Sequence, residues 1–310
     1  MTLNILFAAT AERWDDYHIH LPNALTERGI AAHISTDMPA KDVDYIVYAP
    51  NSPVQDFGPF TRAKAVLNLW AGVETVVGND TLRIPLTRMV DPGMTQSMTE
   101  WVTGHVMRYH LGMDAHITNP DRKWSPAPTP LAQERRVLIL GLGALGQSVA
   151  RCLQSLKFEV SGWSRSPKDL DGIQTYHGPS GLDDALARAE IVVLLLPNTP
   201  ATDNALNART LNLLPKGARI INPGRGTLID DNALLAALDT GRIAHATLDV
   251  FRIEPLPDNH PFWVHPNITV TPHIAAETKA LTASKVIADN IYRSESGLPL
   301  VHLVDRELGY

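Results

Sequence analysis

The sequence predicts an α/β protein with two domains, each built on a parallel sheet. The chain has 310 residues, which is long enough for two hydrophobic cores. Short apolar runs rich in β-branched residues, such as 137–140 and 191–196, alternate with stretches in which apolar residues recur at helical spacing. Because these runs are apolar throughout, they predict strands that helices cover on both faces.

The first ninety residues predict a small α/β domain of their own. Residues 4–9, 44–48 and 65–69 have the pattern of strands, and residues 21–28 have the pattern of a helix that ends near Gly29. This part carries no glycine-rich fingerprint.

The rest of the chain predicts a larger α/β domain. A helix over 96–113 leads to a proline-rich connection over 118–135. From residue 136 the pattern is βαβαβ, with expected strands at 137–140, 158–163, 191–196, 219–222, 247–251 and 268–271. A helix over 231–240 stops at Gly241. The tail, 276–310, predicts a last helix with Leu281, Val286, Ile287 and Ile291 on its apolar face.

The turn after the strand at 137–140 has the sequence Gly-Leu-Gly-Ala-Leu-Gly and leads directly into helical spacing. In a dinucleotide-binding turn, Gly141 permits the tight bend, Gly143 lets a diphosphate approach the backbone, and Gly146 lets the helix press on the strand. The free N–H groups of Ala144, Leu145 and Gly146 then face an anion. The alternative is an ordinary βα turn.

The end of the next strand points to NADP(H) as the dinucleotide. An NAD-binding domain usually has an acidic residue there, which binds the ribose 2′-hydroxyl. Here Ser164 takes that position and is followed by Arg165, Ser166 and Lys168. A carboxylate would repel a 2′-phosphate, whereas a guanidinium binds it bidentately. The alternative is a solvated basic turn.

Bulk properties exclude several classes of partner. The net charge of −6 argues against a nucleic-acid surface. The single cysteine, Cys152, excludes an internal disulfide, and no residue cluster predicts a metal site. The first residues lack a basic stretch and a long apolar core, and no apolar run approaches the length of a membrane span. We therefore expect a cytoplasmic protein that binds neither nucleic acid nor membrane.

Three polar residues each follow an expected strand of the larger domain. They are Arg225, Glu254 and His273. An arginine can bind a carboxylate and polarise a neighbouring carbonyl, and a histidine can deliver a proton near neutral pH. A glutamate bonded to that histidine would fix its orientation. The set predicts reduction of a 2-oxo acid, although each residue alone is more often solvated or structural.

The loop Trp70-Ala71-Gly72-Val73-Glu74 follows a strand of the first domain. Such a loop can present backbone N–H groups to an anion, but a tight βα turn explains the residues equally well.

The order of these blocks along the chain resembles the D-2-hydroxyacid dehydrogenase family. The matching blocks are 141–146, 196–202, 222–230, 249–255 and 271–276. Within the family, 163–166, 195–200, 254–257 and the terminal 304–310 are most similar to the branch that reduces glyoxylate and hydroxypyruvate. The combination is far more specific than any block alone.

The resemblance implies a fold, domain limits and roles for residues. A Rossmann cofactor domain, 98–275, would be inserted into a flavodoxin-like substrate domain of 1–97 and 276–310, and the protein would be a homodimer. Arg225 would hold the substrate, His273 would be the acid/base, and Glu254 would be its partner. Trp70, Ala71, Gly72, Arg225 and His273 would contact the substrate, with Ala71 and Gly72 offering N–H groups to its carboxylate. The cofactor would contact Gly141, Gly143, Ala144, Leu145, Gly146, Ser164, Arg165, Ser166, Lys168, Leu196, Pro197, Thr202, Pro223, Gly224, Asp249 and Ala275.

Two departures from the family pattern refine the expectation. Many members have Gly-Ala-Gly-Val-Asp at the substrate loop, whereas this chain has Trp70 before Ala71. We expect the indole to crowd the pocket and favour small 2-oxo acids. Ser164 in place of the acid favours NADPH. The sequence thus predicts NADPH-dependent reduction of glyoxylate to glycolate and of hydroxypyruvate to D-glycerate. The alternatives are an NAD-linked dehydrogenase of another hydroxy acid, such as phosphoglycerate, or a non-catalytic dinucleotide-sensing protein of the corepressor type.

Overall fold

The computed structural model describes residues 2–119, 122, 124, 126 and 128–309. The chain forms two compact units. The first runs to Met94 and resumes at Glu277, and the second spans Thr95–Ala276.

The described residues form strands in both units. In chain order they are β1 (Leu3–Ala8), β2 (Ala32–Ser35), β3 (Tyr45–Tyr48), β4 (Ala65–Asn68), β5 (Leu86–Thr87), β6 (Arg136–Leu140), β7 (Glu159–Ser164), β8 (Gln174–His177), β9 (Ile191–Leu194), β10 (Ala218–Asn222), β11 (Ile243–Leu248) and β12 (Ile268–Val270).

The described α-helices alternate with these strands. They are α1 (Ala11–Tyr17), α2 (His20–Glu27), α3 (Pro92–His110), α4 (Asp114–Ile117), α5 (Ala144–Ser155), α6 (Gly178–Leu186), α7 (Ala208–Leu213), α8 (Asp231–Asp239) and α9 (Ala280–Glu295).

The first unit is a five-stranded parallel sheet in the order β2-β1-β3-β4-β5. This is the flavodoxin-like order that the sequence predicts for the substrate domain. Ile287 and Ile291 of α9 are buried with Ile5 and Leu67 on one face of the sheet. The tail helix therefore completes the core of the first unit, to which the family resemblance assigns residues 276–310.

The second unit is a seven-stranded parallel sheet in the order β12-β11-β10-β9-β6-β7-β8. Two buried clusters cover its faces, one around Leu194 and Leu248 and the other around Ile139 and Val193. The strand order reverses between β6 and β9. Ligands of such sheets bind at the carboxyl ends of the strands beside this reversal, where the glycine turn lies. The prediction of two parallel α/β domains of these types is confirmed.

Several predicted boundaries are wrong by a few residues. β9 ends at Leu194 rather than at residue 196, because at Leu195 the chain passes the glycine turn: a Cβ added at Gly141 would lie 2.5 Å from the Leu195 carbonyl oxygen. α3 covers Pro92–His110 instead of 96–113. In α9, Leu281 is 55% exposed and does not belong to the apolar face.

The strand predicted at 247–251 lies earlier, at Ile243–Leu248. Its polar residues His245 and Thr247 both contact the hydroxyl of Tyr109 on α3, at 2.8 and 2.6 Å. These hydrogen bonds allow the polar side chains of His245 and Thr247 to be placed between the sheet and α3. Their partner, Tyr109, is far away in the sequence, so the local pattern did not predict a strand at these polar residues.

The part of the chain that the structure describes contains no helix long and apolar enough to cross a membrane. The same residues hold no group of three or more His, Cys, Asp or Glu side chains arranged as metal ligands. The connection predicted over 118–135 includes residues outside those described, and its described end is a short 3₁₀ helix over Ala132–Glu134.

Candidate active site

The glycine turn after β6 is built so that two of its three glycines have no room for a side chain. Gly141 has a φ of +108°, which is far from the conformations that L side chains adopt. A Cβ added at Gly146 would lie 1.8 Å from the carbonyl oxygen of Gly141. These glycines are therefore required for the turn to close and for α5 to press on β6.

The middle glycine has a different environment. Gly143 is exposed, and a Cβ added to it would meet no heavy atom within 4 Å. Gly143 is also the N-cap of α5, and no side chain caps the helix there. The first N–H groups of α5 thus lie beside open space, as a diphosphate group requires. The turn fits the dinucleotide that the sequence predicts, with Ala144 and Leu145 in the first helical turn.

The end of β7 offers basic and hydroxyl groups to the solvent. Ser164 is buried, and its hydroxyl donates to the carbonyl oxygen of Ser166 over 2.8 Å. Arg165, Ser166 and Lys168 are exposed. Ser164 therefore shapes the turn from within, while the exposed residues are those that a 2′-phosphate could reach.

The other predicted cofactor residues lie in loops at the same sheet edge. After β9, the Thr202 hydroxyl donates to the Pro197 carbonyl oxygen over 2.6 Å and accepts from the Thr199 N–H over 2.9 Å. Leu196 is buried in the same loop. Thr202 thus holds this loop in shape through contacts within the protein.

The loop after β10 passes close to β9. Pro223 and Gly224 are buried, and a Cβ added at Gly224 would lie 2.7 Å from the Leu194 carbonyl oxygen. The loop therefore approaches the sheet edge as closely as its backbone allows.

The candidate acid/base and its partner are in direct contact. His273 Nδ1 lies 2.7 Å from Glu254 Oε2, and the other carboxylate oxygen of Glu254 accepts from the Phe251 N–H over 2.9 Å. Because an ionised carboxylate can only accept, this contact places the ring hydrogen on Nδ1 and leaves Nε2 to exchange a proton with a ligand. Half of the His273 side chain is exposed, so Nε2 is not sealed inside the protein.

His273 has a strained backbone, with a φ of +53°. Its N–H donates to the Asp249 carbonyl oxygen over 2.8 Å. The carboxylate of Asp249, which is fully buried, accepts from the Ile274 and Ala275 N–H groups over 2.9 Å each and from the Thr271 hydroxyl over 2.6 Å. Asp249 therefore fixes the loop that carries His273, and strain at such a position is typical of a functional site.

Arg225 follows β10, which pairs with β11, the strand that precedes Glu254; β12, which precedes His273, pairs with the other edge of β11. A guanidinium N–H of Arg225 donates to the Gly224 carbonyl oxygen over 2.7 Å. At the next residue, a Cβ added to Gly226 would lie 2.0 Å from the backbone of Phe251. The Arg225 loop thus packs directly on the turn that leads to Glu254.

Three further residues hold these loops together, and the sequence analysis missed all of them. Asn222 donates to the Arg225 carbonyl oxygen and accepts from the Gly224 N–H. Thr271 binds Asp249, as described above. Arg252 donates to the Thr227 and Ile229 carbonyl oxygens over 3.1 and 2.7 Å, which ties the turn after β11 to the turn that follows Arg225. Asn222 and Thr271 flank predicted strand ends, which is the signal that could have identified them.

In the first unit, the predicted substrate loop follows β4. Trp70 is 40% exposed, and Ala71 and Gly72 are partly exposed. The N–H groups of Ala71 and Gly72 make no hydrogen bond to any described residue. Free N–H groups at the carboxyl end of a strand can bind an anion, so the loop has the chemistry that the resemblance implies.

Known proteins resemble this chain over its whole length. Residues 105–275 match the family model "D-isomer specific 2-hydroxyacid dehydrogenase, NAD binding domain". A glyoxylate/hydroxypyruvate reductase A from Serratia proteamaculans is 36% identical over 316 residues, covering 99% of this chain and all of the relative.

Two solved structures have the same fold. A D-isomer-specific 2-hydroxyacid dehydrogenase from Xanthobacter autotrophicus, in complex with NADPH and MES, is 38% identical with a TM-score of 0.93 over all of both chains. An NADPH-dependent glyoxylate/hydroxypyruvate reductase from Sinorhizobium meliloti, in complex with NADP and sulfate, is 34% identical with a TM-score of 0.84, covering all of this chain and 99% of the other. With the glycine turn and the His273–Glu254 pair in place, this chain belongs to the D-isomer-specific 2-hydroxyacid dehydrogenase family.

Proposed function

We propose that this protein is an NADPH-dependent reductase of small 2-oxo acids, converting glyoxylate to glycolate and hydroxypyruvate to D-glycerate. The observation that carries the proposal is the 2.7 Å contact of His273 Nδ1 with Glu254 Oε2, on a loop whose backbone is strained at His273. The names of the Serratia and Sinorhizobium relatives support these two substrates.

The cofactor would be held by the glycine turn and the basic turn after β7. The open space at Gly143 and the uncapped start of α5 suit the diphosphate. Arg165, Ser166 and Lys168 would bind the 2′-phosphate, since the residue at the end of β7 is Ser164 and not an acid. NADP in the Sinorhizobium relative and NADPH in the Xanthobacter relative favour the phosphorylated dinucleotide over NAD. When bound, it supplies the hydride.

The protein groups would carry the remaining chemistry. The guanidinium of Arg225 would bind the substrate and stabilise the negative charge that grows on the keto oxygen. His273 would donate its Nε2 proton to that oxygen, and Glu254 would stabilise the doubly protonated ring before transfer. In the reverse direction, neutral His273 would accept the proton of the hydroxyl group.

Ala71 and Gly72 would bind the substrate carboxylate through their N–H groups. Two backbone donors suit a carboxylate, because each can point at one oxygen. Trp70, beside them, would limit the size of the group attached to the keto carbon.

The proposal is tested by following the loss of NADPH absorbance after glyoxylate is added, with hydroxypyruvate and phosphohydroxypyruvate in parallel and NADH as the other cofactor. We expect glyoxylate and hydroxypyruvate to be reduced, with NADPH saturating at lower concentration than NADH. Preference for phosphohydroxypyruvate with NADH would favour the phosphoglycerate dehydrogenase alternative. Tight NADPH binding without turnover of any 2-oxo acid would favour the dinucleotide-sensing alternative.

We also propose that the protein is a homodimer, formed through its second unit. Support comes from large apolar side chains exposed to solvent within residues 113–131. They are Met113, Ile117, Trp124 and Leu131, with exposed fractions of 38, 73, 95 and 65%. Large apolar side chains that are this exposed and this near one another in the sequence suit a surface that another chain covers. The cytoplasmic location inferred from the sequence stays a prediction.

A further inference from the structure

We propose that Asn68 is the residue that positions the N–H groups of Ala71 and Gly72 for substrate binding. This inference rests on the proposed function. It concerns a residue that the sequence analysis did not single out, and it assigns Asn68 a positioning role without contact to the substrate.

Asn68 is the last residue of β4 and is 1% exposed. Its side-chain nitrogen donates to the carbonyl oxygen of Trp70 over 2.9 Å and to that of Gly72 over 3.0 Å. The opposite orientation of the amide would bring its oxygen against two carbonyl oxygens. The two acceptors therefore settle which end of the amide faces the loop.

These two bonds determine where the loop N–H groups point. In a trans peptide the C=O and the following N–H point in opposite directions. Binding of the Trp70 carbonyl thus turns the Ala71 N–H away from Asn68. The Gly72 N–H belongs to the peptide group between Ala71 and Gly72. Asn68 binds the carbonyl of the peptide group before it, at Trp70, and that of the peptide group after it, at Gly72, so the orientation of the Gly72 N–H is fixed from both sides.

The remaining contacts of the loop act in the same sense. The Trp70 carbonyl oxygen also accepts from the Met89 N–H over 2.9 Å, and the Leu69 carbonyl oxygen accepts from the Thr278 hydroxyl over 3.1 Å. Three carbonyls of residues 69–72 are therefore bound within the first unit, whereas the Ala71 and Gly72 N–H groups find no acceptor among the described residues. Asn68 alone binds two of these carbonyls.

The other end of the Asn68 amide argues against a role in packing alone. Its oxygen is buried and has no hydrogen-bond partner among the described residues. An unpaired buried acceptor destabilises the folded state. An apolar residue of the same size would avoid this cost but could not hold the loop carbonyls.

The test uses Asn68→Leu, which keeps four side-chain heavy atoms branched at Cγ and removes both donors. Asn290→Leu is the matched control: Asn290 is 2% exposed in the same unit, and its side-chain oxygen accepts from the Val301 N–H over 2.8 Å. For Asn68→Leu we expect a KM for glyoxylate raised at least tenfold, a kcat within about threefold of the wild type, and an unchanged KM for NADPH. For Asn290→Leu we expect both KM values to stay unchanged, whatever the loss in melting temperature. A glyoxylate KM within twofold of the wild type in Asn68→Leu would overturn the proposal.

Hydrogen–deuterium exchange without substrate separates this inference from the proposed function. Peptides covering 69–76 should exchange faster in Asn68→Leu than in the wild type and in Asn290→Leu. Unchanged exchange there would reject the positioning role even if the enzyme reduces glyoxylate. Faster exchange in a protein that reduces no 2-oxo acid would keep the loop-holding role of Asn68 and reject the proposed function, and with it the substrate-binding purpose of the loop.

Discussion

At the residue scale, the proposed chemistry depends on side chains whose geometry a similar residue cannot reproduce. Arg225 presents a planar fork of donors, which matches a carboxylate or a polarised carbonyl, whereas lysine offers a single point charge. We expect Arg225→Lys to lower kcat for glyoxylate by about 10²–10³, the usual cost of removing such an electrostatic donor.

Steady-state kinetics with NADPH would measure this loss. Arg209→Lys is a suitable control, because Arg209 pairs with Asp183 at an exposed position. Activity of Arg225→Lys within tenfold of the wild type would contradict the assigned role.

Trp70 is the residue expected to set substrate size. Its indole is 40% exposed next to the two free N–H groups, so its removal should make room beside the bound carboxylate. We expect Trp70→Ala to raise kcat/KM for 2-oxobutyrate relative to glyoxylate by about tenfold, as expected when one or two methylene groups become accommodated. Competition between the two substrates would measure the ratio. Trp263→Ala, at a tryptophan that is 48% exposed in the second unit, should leave it unchanged. An unchanged ratio in Trp70→Ala as well would exclude Trp70 from the pocket.

At the element scale, the strands that carry the site were predictable, whereas three of the four edge strands, β2, β5 and β8, were not. β6 and β9 are apolar throughout because both faces are buried. β2 and β8 are short and partly exposed, with the sequences Ala-His-Ile-Ser and Gln-Thr-Tyr-His, so no apolar run marks them. β5 has only two residues. A sequence pattern identifies a strand when the strand's own side chains are apolar and buried. It misses a strand that forms only because its backbone pairs with the edge strand of a sheet.

The same distinction applies to the candidate site. Arg225, Glu254 and His273 were identifiable because each follows a strand. Asn68 and Arg252 donate to backbone carbonyls, of the loop that follows β4 and of the turn that follows Arg225 respectively. Every residue has a backbone carbonyl, so no sequence pattern marks such a hydrogen bond. The residues proposed to take part in the chemistry could therefore be selected from the sequence, whereas most of the residues that hold their loops could not.

The contact of α3 with β11 makes stability depend on pH. Burial is the main cause that lowers the pKa of His245 to about 4; the nearby positive charges of Arg108 and Arg219 act in the same direction, and Asp114 acts against them. Neutral His245 contacts the hydroxyl of Tyr109 over 2.8 Å. Because the unfolded chain takes up a proton below pH 6.5 and the folded chain does not, stability should fall as the pH drops from 6.5 towards 4. The loss from this residue would reach about 3 kcal/mol near pH 4.

Urea unfolding between pH 4.5 and 7 would measure this dependence. His245→Asn cannot take up a proton and should flatten the pH dependence. Thr247→Val is the matched control, because Thr247 contacts the same Tyr109 hydroxyl over 2.6 Å and cannot take up a proton; it should leave the slope near that of the wild type. An equal slope in the wild type and His245→Asn would show that His245 does not titrate in this way.

At the scale of the whole molecule, the proposed dimer makes a prediction about mass in solution. The chain weighs 34.0 kDa, so a dimer would have twice that mass. Met113, Ile117, Trp124 and Leu131 expose apolar side chains in the second unit, and burying them against a second copy would remove them from water. A charge placed among them would have to be desolvated in the interface. We expect Ile117→Asp and Trp124→Glu to shift the protein towards the monomer at micromolar concentration, as measured by light scattering coupled to gel filtration.

Val264→Glu provides the comparison, because Val264 is 84% exposed in the same unit but lies outside this segment. It should remain dimeric. If the wild type and all three variants have the mass of a dimer, residues 113–131 do not form the interface. If the wild type is a monomer at every concentration, the dimer itself is excluded.

Each unit has its own sheet and core, so the monomeric variants should keep their fold and still bind NADPH. Loss of NADPH binding together with dimerisation would instead mean that the cofactor turn depends on the second copy.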